Sequence, residues 1–467
     1  MKRTSITKLS LVLISLSLII VYCFCGTGCG DSEDSEKVIV WVVVWHSNED
    51  LEGPEDTDFD IFITRSTDSG ATWSAVQTLN SDANTDSGHD WEPRAATDGN
   101  GNWVAVWWSD ENPGDPGGTD SDIFVSYSTD DGATWSAVQT LNSNAGSDSG
   151  GDRNPCVMTD GSGNWVAVWR SNDDLGGPVG PDYDIFVSRS TDNGTSWSAV
   201  QTLNSNAASD SGGDGFPCVM TDGSGNWVVV WDSNDDLEGT VDTDNDIFVA
   251  RSTDNSASWS AVAPLNSNAE SDTGGDRNPC VMTDGSGNWV VVWSSTDDLE
   301  ATVGTDRDIF VSRSTDSGAS WSNVQTLNSN ADSDSGNDYN PFVTTDGSGN
   351  WVVVWYSNDD LEATVDTDID IFVSRSTDNG TTWSDVAPLN SNAASDTGYD
   401  DMPFVITDGK GNWSTIWESN ENLGGSAGPD SDIFIAHSTD NGVSWSDVQT
   451  LNSNADTDAG ADLFIGP

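Results

Sequence analysis

The stretch STDNGTTW occupies Ser376–Trp383, and six near copies of it stand elsewhere in the chain. They read STDSGATW (Ser66–Trp73), STDDGATW (Ser128–Trp135), STDNGTSW (Ser190–Trp197), STDNSASW (Ser252–Trp259), STDSGASW (Ser314–Trp321) and STDNGVSW (Ser438–Trp445). Each opening serine follows the previous one by 62 residues. A fixed period across nearly all of 467 residues argues for one closed architecture of seven like units, not for several independent domains. Between the copies, aromatic and β-branched residues are punctuated by Gly, Asn, Asp and Ser. No long run has a helical period, so the fold class is all-β.

One repeat, residues 217–266, shows how the unit is built. Three short apolar strands are legible in PCVMT, NWVVVW and DIFVARS, and a fourth in WSAVAPLN after the box. DGSGN between the first two is a tight turn, because Gly and Asn accept the positive φ that such turns demand. Each unit is therefore a four-stranded antiparallel meander. WVVVW is apolar at consecutive positions, which means both faces of the sheet are covered. Sheets stacked face to face around an axis make a β-propeller, here of seven blades. VIVWVVVW (Val38–Trp45) is in phase with a second strand, so the first blade lacks its innermost one. ADLFIGP (Ala461–Pro467) falls where the next innermost strand would begin and is expected to close the ring.

The pattern S-x-D-x-G-x-x-W resembles the Asp box, or BNR repeat, of the sialidase-like (neuraminidase) propellers, and the resemblance runs from about Val38 to the end of the chain. The box reads as a structural staple. Its Asp accepts backbone N–H groups across the hairpin, its Gly takes the strained φ, and its Trp seals the blade interface. Ser256 stands in place of that Gly in the fourth copy, where strain is expected.

Candidate site residues are those that break the repeat near the axis, just before the innermost strand. There the copies begin with an unchanging aspartate (Asp90, Asp152, Asp214, Asp276, Asp338, Asp400 and Asp462), expected to ring one mouth of the channel or to cap local turns. The next residue varies. It is Trp91, Arg153, Gly215, Arg277, Tyr339, Asp401 or Leu463, and a mixed set of this kind suits a ligand site. In sialidases an Arg-Ile-Pro motif begins an innermost strand and its Arg helps grip the carboxylate of sialic acid. RNP at Arg153–Pro155 and Arg277–Pro279 is similar, with Asn154 and Asn278 in place of Ile. The resemblance further implies a third Arg, a Tyr nucleophile assisted by Glu, and an acid Asp. Tyr339 and Asp401 fit by phase, Glu92 lies in another blade, and no third arginine is assignable. Near-identical repeats radiate identical residues, which speaks against catalysis. The ligand set is accordingly Trp91, Arg153, Arg277, Tyr339 and Asp401 in a binding module for an extracellular glycan or protein. The alternative is an exo-α-sialidase-type glycoside hydrolase, with Arg153, Arg277, Tyr339 and Asp401 in the catalytic roles. Arg65, Arg189, Arg251, Arg313 and Arg375 precede the boxes and read as surface charges.

The acidic balance is extreme, at a formal charge of −63. Such a surface repels nucleic acid and anionic membranes, and it suits either the binding of divalent cations or a saline habitat. Loops ahead of DIF carry triplets of alternate aspartates: Asp56, Asp58 and Asp60; Asp242, Asp244 and Asp246; Asp366, Asp368 and Asp370. Alternate residues of an extended segment share a face, so each triplet is a candidate Ca²⁺ site, with a solvated loop as the alternative. Cys156, Cys218 and Cys280 recur at one repeat position and read as buried thiols.

Lys2, Arg3 and Lys8 precede the apolar run Leu9–Tyr22, the layout of an export signal over residues 1–28. Cys29 after GTG resembles the acylated cysteine of a bacterial lipoprotein, which would be the chain's only tie to a membrane, and simple cleavage and secretion is the alternative. Residues 29–37 form an acidic linker, 38–467 the propeller, and the whole is expected to act outside the cytoplasm as a monomer.

Overall fold

In the computed structural model, the described residues are 17–19, 40–47, 58–67, 74–83, 88–111, 120–147, 149–175, 182–209, 211–237, 239, 241, 243–299, 303–361, 365, 368–395, 397–423 and 431–450. All regular structure among them is strand, arranged as seven four-stranded antiparallel sheets. Blade 4 is representative. Its strands Asp214–Thr221, Trp227–Ser233, Asp246–Ser252 and Ala263–Pro264 lie side by side in chain order. The middle pair runs in unbroken register from Trp227↔Ser252 to Ser233↔Asp246. The outermost strand is two residues long where the sequence suggested eight. It is exposed on the blade's edge, so no buried contact extends it, and Pro264 brings no N–H to the pairing.

The second strand supplies the core. Trp227, Val228, Val229, Val230 and Trp231 have no appreciable solvent exposure, as consecutive apolar residues require when both faces are covered. Each such Trp removes about 150–250 Å² from water, or about 4–6 kcal/mol of transfer free energy before entropy is counted. Val43, Trp45 and Phe62 of the first blade share one core cluster with Trp413, Ile416 and Phe434 of the last, which closes the ring.

The first blade differs from the others at its inner edge. Ser17–Ile19 pairs there with Val42–Val44, while the expected closing strand Ala461–Pro467 lies outside the described residues, as do Cys29 and the linker. A sheet edge needs partners for its N–H and C=O groups, and Ser17–Ile19 supplies them at Val42–Val44.

The register defines two ends. At one lie both hairpins, DGSGN and the Asp box, which bond to each other (Asn255 N–H to Gly225 O, 3.2 Å). In the box of blade 2, Asp130 accepts from Thr134 N–H (2.9 Å) and from the Ser128 hydroxyl (2.8 Å), and that hydroxyl oxygen accepts from Gly132 N–H (3.0 Å). The glycine has a second task. A Cβ on Gly318 would stand 2.7 Å from Val228 Cγ2 of the preceding blade, and Gly132, Gly380 and Gly442 meet Val42, Val290 and Val352 in the same way. Ser256 adopts the expected strained backbone, at φ 58°.

The box-preceding arginines are not simply surface charges. Arg251 donates from Nε to Ser317 O (2.6 Å) and Arg189 from Nη1 to Asn255 O (3.4 Å), each tying one blade to the box of the next. Val324 N–H reaches back to the Ser267 hydroxyl (3.1 Å) at the outer edge, and this contact also recurs from blade to blade.

Candidate functional site at the mouth

At the other end, the inner strands begin on a bulge. Pairing slips after the second residue, between Trp91 and Arg94 in blade 2 and between Tyr339 and Phe342 in blade 6. The third residue takes a left-handed backbone: Glu92, Asn154, Phe216, Asn278, Asn340 and Met402 all have φ between 45° and 54°. Asn tolerates this better than most residues, which accounts for its recurrence there.

The unchanging aspartates do not ring the mouth. Asp90, Asp152, Asp214, Asp276, Asp338 and Asp400 are at most 3% exposed. Their N–H groups bond to the residue ahead of the third strand, as Asp338 does to Arg307 O (2.7 Å), so they sit beneath the rim as framework. Burial pushes the Asp276 and Asp338 carboxyls well above the usual range. Asp462 lies outside the described residues.

The mouth instead carries three variable residues per blade. One is the second residue of the inner strand. Facing it in register is the sixth residue of the second strand, as in Trp91↔Trp108, Arg153↔Arg170 and Tyr339↔Tyr356. The third precedes DIF and includes Phe59, Tyr183, Asn245 and Arg307. The signal for the last two sets was available in the sequence, since WVxVWxS varies at its sixth residue (His46, Trp108, Arg170, Asp232, Ser294, Tyr356 and, in the divergent last copy, Glu418).

Two clusters result. In the first, Trp91 packs on Phe59 (4.3 Å between ring centroids), on His46 (5.1 Å) and in a stacked pair with Trp108 (6.0 Å). The guanidinium of Arg153 lies 5.0 Å over Trp108. Glu92 Oε2 accepts from Trp108 Nε1 (3.1 Å) and from Asn154 Nδ2 (2.8 Å), which locks the platform. Burial pushes the His46 imidazole down to about 4, so it is neutral at physiological pH.

In the second cluster, Tyr339 stacks on Tyr356 at 5.3 Å beneath Arg307, whose guanidinium is 5.6 Å from the Tyr339 ring. Burial, then the neighbouring Asp401 carboxylate and Tyr339, push the Tyr356 phenol up to about 12 against the pull of Arg307. Burial also pushes Asp401 up to about 6. Arg277 interacts electrostatically with Asp232, which burial raises to about 6. Thus Trp91 joins Arg153 through Trp108, Tyr339 joins Asp401 through Tyr356, and Arg277 lies within electrostatic reach of Asp232 and of Arg307 in the second cluster. Arg170, set 4.9 Å over Tyr183, and Arg307 are further mouth arginines that sequence reading missed.

Beneath the rim, described aspartates of the acidic loops group with a third from farther along the chain. Carboxylate oxygens of Asp244, Asp246 and Asp272 come within 4.8 Å of one another, as do those of Asp306, Asp308 and Asp334. The third member comes from the loop after the outer strand, while Asp56, Asp242 and Asp366 lie outside the described residues. Burial and the crowding of Asp306, Asp308 and Asp359 push Asp334 up to about 8, and burial with Asp306 and Asp359 pushes Asp308 up to about 7 despite the Asn328 amide. Cys156 and Cys280 flank Cys218 on successive inner strands. The Cys218 hydrogen bond and burial push the Cys156 thiol well up. For Cys218 the pull of Cys156 is outweighed by Cys280 and burial, giving about 12.

Among solved structures the chain is similar to a Hadza microbial sialidase (16% identity, TM-score 0.40, covering 78% of this chain and 71% of that one). It is also similar to the NanB sialidase of Streptococcus pneumoniae (10%, TM-score 0.45, covering 71% and 65%). A third is an α-L-arabinanase of Penicillium chrysogenum complexed with arabinobiose (14%, TM-score 0.44, covering 78% and 94%). No curated protein sequence matches it significantly. The BNR repeat-like domain matches residues 30–230 and 101–402, and with the Asp box in every repeat and a ring of seven four-stranded blades, the chain belongs to the BNR repeat-like family.

Proposed function

We propose that this is an exported binding module, monomeric and held at the cell surface through Cys29 or secreted, that takes an acidic glycan or glycan-bearing protein at the variable mouth without cleaving it. The observation that carries the reading is the Trp91–Trp108 pair beneath Arg153. Stacked indoles offer a face to a sugar ring, and a guanidinium offers a two-pronged donor to its carboxylate. A nucleophilic tyrosine needs a lowered pKa or an adjacent base. The candidate Tyr339 has a second phenol, Tyr356, stacked on one face and the Arg307 guanidinium over its ring, and neither is a base.

One observation favours the hydrolase alternative. Asp401, raised to about 6 by burial, is in the range of a general acid at neutral pH. A glycan array and a fluorogenic sialoside assay on the same protein separate the two. The expected result is array binding that Arg153→Ala and Trp108→Ala abolish, with no turnover. Sialoside turnover by the parent that Asp401→Asn removes overturns the binding-only reading. Radiolabelled palmitate incorporated by the parent and not by Cys29→Ala would establish the lipid anchor.

A further inference from the structure

We infer that every blade carries a site for a hard divalent cation of the calcium class, built by the two aspartates that flank a mouth residue and a third from the loop after the outer strand. The site differs from the contiguous triplets visible in the sequence, because its third ligand is brought in by the meander. It stands whether or not the mouth binds a glycan.

Blade 5 shows the construction. Asp308 is fully buried, and Asn328 Nδ2 donates to its Oδ1 at 2.6 Å, while its Oδ2 has no hydrogen-bond partner. Asn330 Nδ2 donates to Asp334 Oδ2 at 2.8 Å, and Asp334 Oδ1 is likewise buried and unpartnered, as is Asp306 Oδ2. Thus two of the three carboxylates have one oxygen tethered and all three have one spare, and one oxygen of each carboxylate lies within 4.8 Å of the others. Asn330 adds a buried, unpartnered Oδ1 beside Asp334. Crowding three carboxylates together, one of them fully buried and two half-buried, is costly without a partner, and a cation removes that cost. The ligands are all oxygen, which suits calcium and disfavours zinc or copper. Calcium also accepts an irregular shell completed by water, where magnesium demands a near-ideal octahedron.

In blade 4 one carboxylate oxygen from each of Asp244, Asp246 and Asp272 comes within 4.8 Å of the others in the same way. In the remaining five repeats the sequence holds aspartate at all three equivalent places, from Asp58, Asp60 and Asp86 in the first to Asp430, Asp432 and Asp458 in the last. A consequence for the mouth follows from strand geometry. Arg307 stands between Asp306 and Asp308, and successive residues of an extended segment point to opposite sides, so the two aspartates share one face and Arg307 takes the other. A cation gripping the two aspartates therefore holds Arg307 over Tyr339.

The test is calorimetric titration of the chelator-stripped, full-length protein with CaCl₂ and separately with MgCl₂ at physiological ionic strength. Saturable calcium binding is expected at one equivalent per repeat, about seven in all, with magnesium weaker by about tenfold or more. Asp334→Asn and Asp306→Asn should each lose one equivalent and keep the rest, with circular dichroism reporting that the fold is retained. Calcium heats that match magnesium and vanish with added salt would reduce the aspartates to a diffuse ion atmosphere and overturn the inference. So would an unchanged stoichiometry in both variants.

Discussion

At the hairpin end of blade 5, Gly318 lies on Val228 and Asp316 accepts from Ser320, and equivalent contacts are found in other blades. At the mouth end of the same blade, Arg307 lies over Tyr339. In blade 1 the equivalent residue is Phe59, and it packs on Trp91. One end spends its residues on joining neighbours, so its side chains are constrained by geometry that every blade shares. The other rests on a bulge with buried aspartates beneath it, so its three outward residues are free to differ. Stability should therefore respond to changes at the hairpin end and in the core, and recognition to changes at the mouth.

Core truncation should show the largest effect. Trp293→Ala removes a fully buried indole and should cost about 3–5 kcal/mol in urea unfolding, whereas Trp108→Ala at the half-buried rim should cost clearly less. Equal losses would break the distinction between framework and mouth.

Next is a case where the mouth does touch stability. The unfolded His46 takes up its proton near 6.5, and the folded one only near 4. Between these values the unfolded state binds more protons, so stability falls as the pH is lowered through the window, by up to about 3 kcal/mol. Asp232 and Asp401, raised to about 6, act with the opposite sign, since their contribution is lost as pH rises through about 6. His46→Phe isolates the histidine part. Its melting temperature should fall less than the parent's between pH 7 and pH 4, and identical profiles would show that His46 is protonated in the fold.

At the hairpin end, Gly318→Ala places a methyl against Val228 at a φ of 76° and should cost about 1–3 kcal/mol by denaturant titration. The reverse change, Ser256→Gly, should raise stability by about 0.5–1 kcal/mol by relieving a left-handed serine. Loss of stability in Ser256→Gly would mean that the Ser256 hydroxyl bond to Asn255 O (2.6 Å) outweighs the strain. The smallest change in stability, within about 0.5 kcal/mol, is expected for Arg153→Ala, which should nonetheless abolish glycan binding.

The fold was legible because the same phase recurs in strands, turns and box, so each copy corroborates the rest. The site was legible only in part. Trp91, Arg153, Tyr339 and Asp401 stand out because they break a repeat just ahead of a strand. Trp108 and Tyr356 hide inside runs such as WVAVWWS and WVVVWYS, where an aromatic reads as one more core residue until the register sets it opposite the inner strand. Arg307 was hidden by its place in an acidic loop. The unchanging aspartates were misplaced for a related reason. A carboxylate in a loop suggests solvent, yet Asp338 and its equivalents are covered by strands the loop leads into. For the acidic groups, proximity along the chain suggested Asp242 with Asp244 and Asp246, whereas Asp272 arrives from the far side of the hairpin.

The recurring joint between blades bears on how such a chain changes over generations. Arg251 reaching Ser317 O and Gly318 seated on Val228 are contacts between repeats of nearly the same amino-acid sequence, with Tyr127 and His437 in place of the arginine and Ser256 in place of the glycine, so replacing one blade by another leaves most of the joints as they were. What moves is the mouth triplet that the blade carries. The rim then works as a combination dial, on which a new pattern of aromatic, cationic and acidic positions is reached by shuffling whole sectors as well as by point substitution.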